Sequence, residues 1–288
     1  MKFGLGYANT IPFTDPVPAR DLAQAAEDAG FESIWTVEHV IWPHDYDSEY
    51  PYHSSGKMPG NPAIPIPDPL IWLTWVAANT TRLRLATGVM ILPQRNPLVL
   101  AKQLATLDHL SGGRVELGVG VGWLEEEFDA LGVSFADRGA RANEAIEAMR
   151  ALWRDDSAGY EGTSVRFSGI AMNPKPVAGS IPIVVGGESR AAARRAARLG
   201  DGYYPGPDSL EKLESAIGLL REECELAGRD PSEIEISARY PGRFMEDPDT
   251  AISALESLGV GRVIVPVYEV TRPDPETGMA AFSEAVAG

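Results

Sequence analysis

One cysteine, Cys224, stands in the whole chain, and that excludes an internal disulfide. It falls on the apolar stripe Leu213, Ile217, Leu220 of a helical pattern, so it reads as a buried, inert thiol. Lysine is scarce as well: five against 20 arginines. None of Lys2, Lys57, Lys102, Lys175 and Lys212 falls where a strand is expected to end. That disfavours Schiff-base chemistry, which needs a desolvated lysine at such a place. No apolar run reaches the length of a membrane span, and Met1-Lys2-Phe3 leads into a strand pattern without a signal peptide. No membrane partner and a cytoplasmic location are therefore expected. Positive charge is in deficit, and a net charge of -16 argues against nucleic acid as a partner. A small-molecule substrate remains.

Two chemistries lack their patterns. Gly118-Val119-Gly120-Val121-Gly122 does not have the dinucleotide-binding spacing, so an oxidoreductase here would carry electrons on something other than a Rossmann-bound nicotinamide. His39, His44, Asp45, Asp47, Glu49 and His53 are close in sequence. Yet no histidines lie four apart on a helix or two apart at a strand end, and no metal is expected. A glycosidase needs paired carboxylates. Glu125 to Glu127 follow the fourth strand, but the seventh ends in Ala238-Arg239-Tyr240-Pro241-Gly242.

What is present is a regular alternation. Residues 82–123 read as strand, helix, strand, and both strands end in glycines: Thr87-Gly88 interrupts the first, and Gly118, Gly120 and Gly122 strip the second. Glycine in a strand marks a bulge or a close approach to the backbone, so these ends suggest a floor for a planar ligand. Strands are predicted at 3–9, 33–38, 82–92, 114–122, 181–187, 202–206, 233–240 and 262–270. Each is followed by a helix, with Asp68-Pro69 and Asp247-Pro248 as starts, and Asp208 with Glu211 as a capping box. The fold class is α/β, a single (β/α)8 TIM barrel over residues 1–288, preferred over a doubly wound sheet because no linker divides the chain. A small hairpin excursion at 160–174 precedes the fifth strand. The long connection 40–67 after the second strand holds six prolines with Trp42, Tyr46, Tyr50 and Tyr52, and suits a lid or pocket wall.

Glu38-His39 closes the second strand on the face where barrel active sites lie. His39 there is a candidate general acid or base, with a structural histidine as the alternative. His109, in the last turn of a helix, needs only the helix dipole to explain it. The turn Val185-Gly186-Gly187-Glu188-Ser189 runs into a helix N-terminus that could bind phosphate through backbone N–H groups, with Arg190 following. A plain tight turn is the competing reading.

Residues 26–40 (AEDAGFESIWTVEHV), 82–128 (RLRLATGVMILPQRNPLVLAKQLATLDHLSGGRVELGVGVGWLEEEF) and 181–204 (IPIVVGGESRAAARRAARLGDGYY) together resemble the bacterial luciferase-like family of flavin- and deazaflavin-dependent oxidoreductases, over nearly the full length. The last two resemble most the branch using the deazaflavin coenzyme F420. FMN users share the barrel and the Glu-His pair, which keeps FMN as the alternative cofactor. The resemblance implies a ring resting against a bulge at Thr87, Gly88 and Val89, with a cis peptide at Gly88-Val89 and Met90 beside the ring. Glu38, Gly120, Gly122 and Trp123 would complete the cofactor cup, Val185, Gly186, Gly187, Glu188, Ser189 and Arg190 the phosphate end, and Trp42 and Tyr204 the substrate pocket. His39 would exchange a proton as hydride passes between cofactor and a small organic substrate. A reduced-flavin monooxygenase and a noncatalytic flavin-binding protein are the alternatives. A homodimer is implied. The sugar-phosphate dehydrogenase branch carries a carboxylate where Trp123 stands, which argues against a sugar phosphate.

Overall fold

Eight short parallel strands form the frame of the computed structural model, which describes residues 1–287; Gly288, the last residue of the expected 1–288 unit, lies outside the described residues. They are β1 (Lys2–Gly6), β2 (Ser33–Thr36), β3 (Arg84–Thr87), β4 (Val115–Gly120), β5 (Ile183–Gly186), β6 (Gly202–Tyr204), β7 (Glu235–Ala238) and β8 (Arg262–Pro266). Each pairs in parallel with the next. The last returns to the first in the register Lys2↔Arg262 to Gly6↔Pro266, so the sheet is a closed barrel. The strands are shorter than their apolar runs. β1 stops where Tyr7 turns to φ 59°, and the residues beyond each strand become the mouth of the barrel.

Around it lie α1 (Pro16–Asp28), α2 (Pro69–Asn79), α3 (Pro97–Ser111), α4 (Glu125–Ala130), α5 (Arg138–Arg154), α6 (Arg190–Leu199), α7 (Leu210–Ala227), α8 (Pro248–Leu258) and α9 (Pro275–Val286). Their starts follow from short polar caps. Asp68 accepts from the Leu70 and Ile71 N–H groups at 2.9 and 3.0 Å, and Asn96 and Asp247 act likewise. The box expected from Asp208 and Glu211 is corrected: Ser209 Oγ accepts from Lys212 N at 3.2 Å, while Asp208 pairs with the Lys212 ammonium at 2.7 Å. Gly112 closes α3 at φ 73°. The predicted excursion is an antiparallel hairpin, Ala158–Glu161 with Arg166–Ile170. Cys224 is fully buried in the main core between barrel and helices.

Alternation along each strand sends every second residue inward, and the interior stacks in three layers. At the N-terminal end the Arg262 guanidinium is only 2% exposed and meets Glu116 at 2.6 Å, Glu235 at 2.7 Å and Glu32 at 3.1 Å. Trp35, Ala86, Val184 and Ile264 form the middle layer, with Arg262 lying 5.4 Å from the Trp35 ring. Trp35 needs room. A Cβ on Gly4 would stand 2.7 Å from its indole nitrogen. Tyr204 covers it from above at a ring distance of 5.5 Å. The barrel is thus filled from below up to its C-terminal mouth.

Candidate functional site

At the end of β2 the chain places His39 at the mouth, its side chain 10% exposed, with Nδ1 3.1 Å from Glu127 Oε2. Glu127 lies on α4, is fully buried, and its other oxygen accepts from the Val40 and Ile41 N–H groups at 2.6 and 3.2 Å. Burial opposes ionisation of this carboxyl, but the His39 hydrogen bond and charge and the Ile41 N–H outweigh it and hold it below the usual range. Nδ1 facing a carboxylate is the protonated nitrogen by assignment from the bond, so Nε2 is the atom left for proton exchange.

Glu38 does different work. It accepts from Ile91 N at 2.6 Å and meets the Arg95 guanidinium, which also reaches Asp68 at 3.1 Å. Burial pushes the Glu38 carboxyl up against the pull of Arg95. Its oxygens are engaged with the wall between β2 and β3, so its expected contact with a cofactor is not one its side chain offers.

β3 breaks after Thr87, whose hydroxyl donates to Gly118 O at 2.7 Å. The Gly88–Val89 peptide is cis, as the resemblance implied, and Met90–Ile91 resume pairing with Val119 and Gly120. A Cβ on Gly118 would lie 1.8 Å from Thr87 O, so that glycine is required by the bulge. Cβ atoms on Gly120 and Gly186 would each lie 2.7 Å from a Val89 methyl. The space bared by these glycines is filled by Val89, which forms the floor of the mouth. Two expectations are corrected here. Met90 is fully buried and belongs to the outer core, as does Val185. Neither side chain reaches the mouth.

From β5 the chain enters α6 through Gly187 at φ 111°, a backbone that favours glycine. The Gly187 N–H is engaged with Tyr204 O at 3.2 Å, which removes it from the expected phosphate donors. Ser189 caps α6, accepting from Ala192 N at 3.2 Å. The N–H groups of the first turn, Arg190 and Ala191, have no acceptor within the helix. Glu188 is half-buried beside them, and burial raises its carboxyl. The Arg190 side chain is corrected: it is held by Glu222 at 2.7 Å and Glu223 at 3.0 Å, out along α7.

The connection 40–67 lies across the mouth. Ser48 Oγ donates to Glu126 at 2.7 Å and Asp47 N to the same carboxylate at 2.6 Å. Tyr50 and Tyr46 meet the Trp123 ring edge-on at 5.1 and 5.7 Å, and His39 meets it at 5.9 Å. At its far side Tyr52 lies 3.6 Å from where a Cβ on Gly206 would stand, beyond β6. The Trp42 ring packs on Gly60 within the connection itself, and Tyr46 and Tyr50 stand against Trp123. Gly122, at φ 81°, turns Trp123 into that cluster, where a Cβ would strike Phe128 at 2.7 Å.

Two residues escaped the sequence reading. Glu127 stood there only as one of three carboxylates after β4. Arg239 stood there only as a missing carboxylate on the seventh strand. Its signal was positional, since Ser237 meets Arg262 inside the barrel and two residues on the chain points inward again, at the mouth. Among the described residues no group of three His, Cys, Asp or Glu side chains converges as metal ligands would, and no helix is long and apolar enough to cross a membrane.

Comparison with known proteins adds a family. A family model described as luciferase-like monooxygenase matches residues 4–269. An uncharacterised protein of Mycobacterium tuberculosis is 39% identical over 271 residues, 92% of this chain and 88% of its own. The F420-dependent glucose-6-phosphate dehydrogenase of Kineococcus radiotolerans is 32% identical over 255 residues, covering 86% and 70%. Among solved structures, a monooxygenase from Streptomyces bottropensis is 26% identical with a TM-score of 0.76, over 100% of this chain and 99% of that one.

Proposed function

We infer, from the premise that this chain belongs to the luciferase-like monooxygenase family of flavin- and F420-dependent oxidoreductases, that it exchanges a hydride between coenzyme F420 and a small organic substrate, with His39 moving the accompanying proton. The observation that carries this reading is the His39–Glu127 pair, set at the mouth that Val89 floors and the connection 40–67 covers. Its Nδ1 is fixed by a buried carboxylate, so Nε2 is presented in one orientation, as a general acid or base requires.

The residues present fit a ring bearing a phosphate chain. Gly186 and Gly187 put no side chain at the turn into α6, and the N–H groups of Glu188, Ser189, Arg190 and Ala191 with the Ser189 hydroxyl would take the phosphate. Val89, Gly88 and Trp123 would hold the ring, and Tyr204 the substrate. When bound, F420 supplies a ring carbon that gives or accepts hydride. The protein's own part is to orient the two partners, exclude water under the connection 40–67 and place a proton at Nε2. The F420-dependent relative supports this cofactor; Trp123, where a sugar-phosphate dehydrogenase has a carboxylate, argues against a sugar phosphate. The second reading, an FMN-dependent monooxygenase, has the Streptomyces protein behind it. Titration with reduced F420 and reduced FMN, followed by absorbance and fluorescence, separates them. F420 binding is expected. Binding of FMN alone with oxygen-dependent turnover would favour the second reading, and binding of neither would remove both. Cofactor binding without hydride exchange across a substrate panel would leave a binding protein.

A second copy of the chain is the partner proposed. α2 reads Pro-Leu-Ile-Trp-Leu-Thr-Trp-Val and is apolar on every side, which suits a helix covered all round. Ile71 is 75% exposed and Trp75 44%, with Val17 of α1 and Val99 of α3 exposed nearby. Such a patch marks an association surface. Ile71→Glu should convert a dimer to monomer in light scattering; a monomeric parent protein would end the proposal.

A further inference from the structure

The charged side chain left over at the mouth is Arg239. The other arginines turned into the fold all have acceptors: Arg95 has Glu38 and Asp68, Arg114 has Thr80 and the Ala77 and Leu83 carbonyls, Arg195 has Asn143, and Arg262 has three carboxylates. For Arg239, among the described residues, no carboxylate stands within ion-pair distance. Asp208 is held by Lys212 at 2.7 Å, and Glu269 accepts from Met245 N at 3.3 Å. Phenols surround the guanidinium instead: Tyr268, whose hydroxyl accepts a hydrogen bond from it, Tyr7, with its ring centre 6.3 Å from that of Tyr268, and Tyr204, seated on Trp35. Tyr50 reaches in from the connection above. Burial, the neighbouring Tyr7 and Tyr52 hydroxyls and the opposing charge of Arg239 together leave the Tyr50 phenol at about 12. Burial raises Tyr204 too. These phenols keep their protons near neutrality and stand as O–H donors. A half-buried cation among phenols, with no carboxylate to balance it, is half of an ion pair.

We propose that Arg239, with the Tyr204 and Tyr50 hydroxyls, is a carboxylate subsite, and that the substrate is a small organic acid. One guanidinium balances one negative charge. Its planar fork matches the two oxygens of a carboxylate, whereas a phosphate dianion would call for further cations. β7 and β2 stand three strands apart round the barrel. An acid anchored at Arg239 therefore extends across the mouth toward His39. The carboxylate is a handle: it takes no part in bond making, and hydride and proton are exchanged at the carbon end. The inference rests on the reading of the mouth as the place where substrate and cofactor meet.

The test is a pair of isosteres, benzoate and benzamide, titrated against the purified protein by tryptophan fluorescence, with inorganic phosphate as a third probe. Benzoate is expected to bind at least about tenfold tighter than benzamide, and tighter than phosphate. Arg239→Met should abolish the preference, and Arg239→Lys should keep part of it because a point charge lacks the fork. F420 affinity should stay within about twofold in both variants. Equal binding of benzoate and benzamide, or a preference for benzoate surviving Arg239→Met, would overturn the proposal. So would a loss of F420 affinity as large as the loss of benzoate, which would assign the arginine to the cofactor's acidic tail. Should Arg239→Met fail to fold, Arg239→Lys and Arg239→Gln carry the same comparison. Failure of either reduced cofactor to bind would count against the oxidoreductase reading alone, since the benzoate preference is read without it.

Discussion

Arg262 and Arg239 point into one barrel from neighbouring strands, at opposite ends, and their surroundings are opposite too. The first is sealed and matched by Glu116, Glu235 and Glu32; the second stands at the open mouth among phenols. Charge at the closed end is balanced within the protein and serves the closure of the barrel. Charge at the open end is left for a partner from outside. This is the division expected of a (β/α)8 fold, where the N-terminal face carries stability and the C-terminal face chemistry.

The sharpest way to break the comparison is to swap the two arginines' fates. Arg262→Leu removes the buried cation between Glu116, Glu235 and Glu32, leaving them only Arg84 and Lys2 at the rim, and should cost about 3–5 kcal/mol in urea unfolding. Arg239→Leu removes a desolvated charge without an ion pair and should leave the midpoint unchanged or higher. A larger loss at Arg239 than at Arg262 would reverse the assignment of the two ends. His39→Asn should lower kcat by about 10²-fold or more with cofactor affinity within a few-fold and stability untouched, while His109→Asn changes little; unaltered turnover in His39→Asn would remove the proton role. At the turn into α6, Gly187→Val forces a side chain onto a backbone at φ 111° and against Ala192 in the first turn of the helix. Cofactor binding should weaken by roughly tenfold or more, consistent with the loss of a charge-assisted hydrogen bond, and unchanged affinity in a folded variant would put the phosphate elsewhere.

The smallest effect is one of pH. Burial raises the Glu126 carboxyl, but hydrogen bonds from Ser48 and Asp47 prevail and lower it to about 2. A depressed carboxyl stabilises its contacts fully above the ordinary value of 4.5 and loses that stabilisation as pH falls through about 2. The connection 40–67 should therefore loosen over that acid window, read as a change in Trp123 emission, and Glu126→Gln should show part of that loosening already at neutral pH. The group is largely solvated, so screening keeps the effect small.

Much of this architecture is legible in the sequence because it rests on local signals. Asp68, Asn96 and Asp247 announce helix starts through side chains that reach only two or three residues, and Gly112 announces an end. Ser209 took the place expected for Asp208 because Lys212 drew the carboxylate away, a competition between neighbours that spacing does not rank. Met90 was expected beside the ring because the resemblance implied it. The bulge inserts a residue and shifts the phase, so Val89 turns inward and Met90 outward. Glu127 and Arg239 were illegible as site residues for a different reason. Glu127 meets His39 across 88 positions of chain, and no local pattern encodes a contact of that span.

The column of Arg262, Trp35 and Tyr204 has a kinetic consequence. A barrel stoppered from within is a room with one door, and the connection 40–67 hangs across that door. Two molecules that meet inside must then queue. The one lying deepest, against Val89, enters first and leaves last, and the other comes and goes above it. Turnover should follow a compulsory order, with the product that leaves last competitive toward the molecule that enters first, and toward it alone.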